Sequence, residues 1–153
     1  MTTISILNSQ KDLKVSKKEV KHLFQLLIAY KKIQVDELEV SFITDSAMKK
    51  KHQELFDDPS STDCITCPID DPYEENLAYC VLGSCFICPK TAIKFASEHK
   101  KDPYEELTLY CVHCFLHLIG YDDIDPIMRK KMRAQERSCL AFLKKEGAYL
   151  KSS

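Results

Sequence analysis

His113 and His117 stand four residues apart in an apolar run, with Gly120 and then Asp123 behind them, spelling H-x3-H-x2-G-x2-D. An α-helix sends residues i and i+4 out of one face a turn apart, so the two imidazoles point the same way. Gly120 offers a helix stop, and the acid just beyond it can bring an oxygen to the two nitrogens. Two histidines and a carboxylate with a fourth position open are the layout of a catalytic zinc site. On a helix as apolar as residues 107–119, two buried imidazoles without a shared partner would leave polar nitrogens unsatisfied, which favours a metal. The spacing therefore predicts Zn²⁺, one per chain, on His113, His117 and Asp123, although imidazole also suits nickel, copper and iron.

Other elements must place that helix. Asp102 and Pro103 read as its N-cap and first residue. Residues 3–8 and 38–43 alternate as strands, and 63–69 and 77–88 read as two more that pair as a hairpin across an acidic turn. Ser16 with Glu19 forms a capping box ahead of Val20, Leu23, Phe24, Leu27 and Ile28. Thr44, Asp45 and Ser46 cap a lysine-rich helix running to Phe56. Pro89 opens a helix through His99, and Asp125–Pro126 opens the last, with Ile127, Met132, Leu140 and Leu143 as its apolar positions. The order predicts an α+β fold: a mixed β-sheet of about four strands packed by about five helices, with the metal site on a central helix.

A chain of 153 residues is the size of one domain, expected to span 1–153. The N-terminus lacks a signal-peptide pattern and no apolar run reaches membrane length, so a cytoplasmic protein without a membrane partner is expected. A net charge of −1 exerts no overall pull on nucleic acid. Local clusters such as Lys49-Lys50-Lys51 and Arg129-Lys130-Lys131-Met132-Arg133 read as solvated helix faces. Cys64, Cys67, Cys85 and Cys88 have the C-x2-C-x17-C-x2-C spacing of a zinc site. The residues between them are β-formers, however, and a strand aims i and i+3 at opposite faces. Buried, reduced thiols are the better reading.

The extended metalloprotease signature H-E-x-x-H-x-x-G-x-x-H has the same spacing, but Cys114 takes the place of its general-base glutamate, which disfavours peptide hydrolysis. Leu116, His117, Leu118, Gly120, Tyr121 and Asp122 instead stand in register with H-G-x-L-H-L-x-G-Y-D-H. That is the signature of the bacterial ribosomal RNA maturation factor family, YbeY, which the chain resembles from about Leu38 to Leu140. Residues 61–68 resemble the family's T-D-V-L-S-F-P segment, and Leu82-Gly83-Ser84-Cys85 its L-G-D-I. Ala92 and Ala96 match the next helix, and Met132, Glu136 and Leu140 the C-terminal one. The resemblance implies a metal-dependent, single-strand-specific endoribonuclease acting on the 3′ end of small-subunit precursor RNA and in ribosome quality control. Its partners would be ribosomal RNA and the small ribosomal subunit, not DNA. His113, His117 and Asp123 would act through a water on the bound metal.

Four positions depart from the family pattern: Asp123 replaces histidine, Phe56 an arginine, Cys114 a glycine and Ser84 an aspartate. An anionic third ligand makes the metal a weaker Lewis acid than three imidazoles would. Phe56 removes a bidentate phosphate donor, so slower cleavage is expected unless a lysine such as Lys49, Lys50 or Lys51 substitutes. Asp123 and Phe56 keep a second reading open, a catalytically weakened ribosome-assembly or RNA-binding protein with a structural metal.

Overall fold

Leu38, Val40 and Phe42 alternate along β2 (Glu37–Phe42) and are all buried, which fixes the face of the sheet that meets the core. The computed structural model describes residues 1–152. β2 pairs in parallel with β1 (Thr3–Asn8) on one side and β4 (Val81–Ile87) on the other. β3 (Cys64–Pro68) closes the far edge antiparallel to β4, giving the order β1-β2-β4-β3. Among the described residues this mixed sheet carries five helices: α1 (Lys17–Tyr30), α2 (Asp45–Phe56), α3 (Pro89–His99), α4 (Pro103–Leu118) and α5 (Pro126–Lys145). The architecture is α+β, as the element order predicts. Among the described residues, no helix is long and apolar enough to cross a membrane.

The main core joins the β2 face to α1, α4 and α5, while Ile43, Met48, Ile65 and Cys88 form a smaller cluster that includes α2. α4 is the central helix. It touches α1, α3, α5, β3 and β4, and ten of its side chains are buried. An oxygen of Asp102 accepts from the Tyr104 amide at 2.9 Å and opens it. Gly83 in β4, at φ +144°, lets α4 come close: a Cβ there would stand 2.3 Å from the Cys67 carbonyl oxygen and 2.9 Å from the Leu118 side chain.

Two expectations need correction. The fourth strand begins at Val81 rather than 77, because Asp36 and Asp70 carboxylates accept from the Cys80 and Val81 amides at 2.7 and 2.9 Å. Its partner β3 ends opposite Gly83, which leaves residues 77–80 outside that ladder. Ile127 is 72% exposed. The buried stripe of α5 is Met132, Glu136, Cys139 and Leu143, and Ile127 lies in the first turn, before that stripe reaches the core.

Candidate metal centre

The last turn of α4 sets the site. The Gly120 amide donates to the His117 carbonyl at 3.1 Å and the Tyr121 amide to Leu116 at 3.0 Å, the paired bonds of a Schellman cap. Gly120 takes φ +110°, which reverses the chain and returns residues 121–123 beside the helix they have just left. The Asp123 amide then donates to the Asp122 carboxylate at 2.8 Å, orienting the loop.

Three side chains converge as a result. One donor atom each from His113, His117 and Asp123 lies within 4.8 Å of the other two. The two Nε2 atoms are 3.0 Å apart, and Asp123 oxygens stand 3.6 Å from His113 Nε2 and 3.8 Å from His117 Nε2. Ligand atoms ~2.0–2.2 Å from a tetrahedral ion are roughly 3.3–3.6 Å apart, so the triangle is close to the size zinc needs. All three side chains are only partly exposed, and two nitrogens with a carboxylate suit a divalent cation.

Behind the triangle is a carboxylate that the spacing alone did not place. Glu136 on α5 accepts from His113 Nδ1 at 2.6 Å, which leaves Nε2 of that ring to face the centre. Arg133 Nη1 in turn donates to both Glu136 oxygens, at 2.6 and 2.9 Å. Burial alone would push His113 down, but its hydrogen bond to Glu136 and the charges of Glu136 and Asp123 outweigh burial and hold its pKa above the usual histidine value. Burial, then the His113 charge, holds His117 below it. Burial would likewise raise Glu136, yet the hydrogen bonds from His113 and Arg133 keep its carboxyl below the usual range.

Phe56 is brought to the same hollow as the three residues, together with His52 and Asp63. Neighbouring lysines do not join them there: Lys49 pairs with Asp45 at 3.2 Å, and Lys51 lies 4.2 Å over the Phe86 ring. Arg133 does reach the centre, on its other side. In the sequence Arg133 reads as part of a solvated cluster, and its one local signal is Glu136 three residues on. The cysteine pairs divide between the clusters: Cys64 and Cys85 pack with the main core, Cys67 and Cys88 with the smaller one. Burial, with Cys64 and Cys85 beside it, pushes the Cys114 thiol well above its ordinary value, so it is neutral core.

Comparison with known proteins agrees over nearly the whole chain. The family model described as "Endoribonuclease YbeY" matches residues 5–144. "Endoribonuclease YbeY" of Chlamydia felis (strain Fe/C-56) is 41% identical over 150 residues, covering 96% of this chain and 94% of that protein. The protein of the same name from Protochlamydia amoebophila (strain UWE25) is 39% identical over 148 residues, covering 97% of each. The solution structure of TM1509 from Thermotoga maritima superposes with a TM-score of 0.66 at 24% identity, over 94% of this chain and 91% of that one, a likeness of fold.

Proposed function

The chain belongs to the YbeY endoribonuclease family, and on that premise we propose that it is a zinc-dependent enzyme cutting single-stranded RNA at the 3′ end of small-subunit precursor ribosomal RNA. The endoribonuclease activity is that of the family. The zinc, the ribosomal substrate, a role in ribosome quality control and a cytoplasmic location are our reading. So is the use of 1–153 as one working domain. The observation that carries it is the triangle of His113 Nε2, His117 Nε2 and Asp123 carboxylate, open to solvent on a partly exposed side.

In this reading His113, His117 and Asp123 hold the ion and leave its remaining position free. When bound, zinc supplies Lewis-acid polarisation of a backbone phosphate and acidifies a water. Glu136 keeps a proton on His113 Nδ1, so that Nε2 stays a lone-pair donor, and Arg133 keeps Glu136 ionised. Asp122, 4.0 Å from His117 Nδ1, supports the second ring more loosely. The weakened RNA-binding reading has no observation in its favour beyond Asp123 and Phe56, and family membership speaks for catalysis.

The test is cleavage of a precursor RNA spanning the small-subunit 3′ end, with metal content measured on the same preparation. Zinc near one per chain and cleavage lost in His113→Ala are expected. Full metal occupancy and activity in that variant would sink the site assignment. Cleavage that survives a chelator would point to a contaminating nuclease.

A further inference from the structure

The ground on either side of the metal centre is unequal. Two hollows, of about 300 and about 550 Å³, share Asp63, His113 and Asp123 as their common wall. The smaller opens toward α2, where Phe56 is 60% exposed with its ring tilted against His52. No lysine or arginine lines it among the described residues. The larger opens toward α5 and carries Lys101 and Arg133 beside the carboxylates Glu106 and Glu136. A phosphodiester chain crossing the centre therefore meets basic side chains on one side only.

Arg133 is held so as to present a free edge. Its Nη1 is anchored on Glu136, whose side chain is 6% exposed, while the Arg133 side chain is 50% exposed. Nε and Nη2 make no hydrogen bond among the described residues. Anchoring one end lowers the side-chain entropy that a loose arginine loses on binding, and the free N–H groups suit phosphate oxygens. Lys101 lies 6.0 Å over the Phe95 ring and adds a point charge to the same wall. With Asp63, Glu106, Asp123 and Glu136 also facing the hollows, these two cations and the metal are what offset the carboxylates for an incoming polyanion.

We propose that Arg133 holds an RNA backbone phosphate on the α5 side of the metal centre, with Lys101 drawing the strand along that wall and Phe56 stacking a base on the α2 side. The proposal rests on the endoribonuclease reading above. Single-stranded RNA suits such a groove because every base has a face to stack and every phosphate the same charge.

Arg133→Gln removes the charge and keeps an amide donor near Glu136. Binding of a short labelled single-stranded oligoribonucleotide is followed by anisotropy across a salt series, at saturating zinc and before cleavage sets in. Zinc affinity is measured separately by competition with a chromophoric chelator. The variant is expected to bind RNA about tenfold more weakly and to lose about 0.7 from the slope of log affinity against log salt. Some loss of zinc affinity is expected through Glu136, and saturating zinc keeps it out of the RNA measurement. Lys130→Gln, an exposed position of the same helix outside both hollows, should change neither. An unchanged slope at saturating zinc overturns the proposal and leaves Arg133 as a support for Glu136, whatever zinc affinity does. An equal slope loss in Lys130→Gln overturns it too, as a general charge effect. If the parent chain itself neither binds nor cuts RNA, the underlying function falls and takes this proposal with it.

Discussion

At the residue scale the site turns on which of two adjacent acids faces the histidines. Asp123 oxygens stand 3.6 and 3.8 Å from the two Nε2 atoms, whereas Asp122 meets only the back of His117 at 4.0 Å. Asp123→Ala is therefore expected to weaken zinc binding beyond the 10–100-fold that a supporting residue costs, and Asp122→Ala by about tenfold. Calorimetric titration of both variants decides it, and zinc retained by the Asp123 variant but lost from the Asp122 variant would overturn the register. Glu136→Gln, which removes the charge behind His113, should weaken zinc 10–100-fold with little change in fold. The pH dependence has two opposite parts. Because the His113 pKa is raised above the ordinary histidine value of 6.5, its pairing with Glu136 stabilises the metal-free protein fully below that pH and is lost as pH rises through the folded value. Zinc must displace the Nε2 proton of the charged His113 ring, so zinc affinity falls as pH drops through the same raised value, earlier than for an ordinary histidine. Zinc affinity that is flat between pH 8 and 6 would contradict this, given the usual histidine range.

At the element scale, α4 works because β4 lets it approach. Gly83→Ala would place a methyl 2.3 Å from a backbone oxygen at φ +144°, so a loss of about 3 kcal/mol or more in urea unfolding is expected. Leu118, the side chain it would strike, adjoins His117, so zinc affinity should fall in the same variant. A variant as stable as the parent would show that α4 does not lean on this glycine. Helix starts were legible in the sequence because a cap is a local event: Ser16, Thr44, Asp102 and Asp125 each accept from an amide two or three residues ahead. The start of β4 was not, because the carboxylate that takes the Cys80 amide comes from Asp36, 44 residues earlier.

At the scale of the whole molecule, the site ties α4 to the loop that follows it, and Glu136 ties α4 to α5. Zinc should therefore stabilise the fold, by about 2.7 kcal/mol at a free concentration one hundred times Kd. A thermal melt in zinc against one in chelator measures this, and a melting temperature indifferent to zinc in the parent would count against the assignment. His113→Ala should show no such shift. A second limit lies at high pH. Burial pushes the Cys111 and Cys114 thiols well above their ordinary value of 9.0, so their contribution to stability is complete below that pH and is lost above it, where the unfolded thiols ionise first. Melting temperatures should decline above about pH 9 and recover in part in Cys111→Ala, offset by the cavity the change leaves.

Local pattern by itself determined the helix of the two histidines, the glycine that ends it, the acid that follows and the order of strands and helices. Each depends on residues within a few positions of one another, where helical and strand periods and cap chemistry act. Only the tertiary structure decided what stands behind and around that motif. Glu136 reaches His113 from 23 residues away, Arg133 reaches a hollow beside the three side chains through Glu136, and Phe56 from α2 lines a hollow with His113, His117 and Asp123. No sequence period links those positions. They meet because α4 is buried between the sheet and α5, and burial of the apolar faces, not the spacing of polar residues, sets which side chains share a wall.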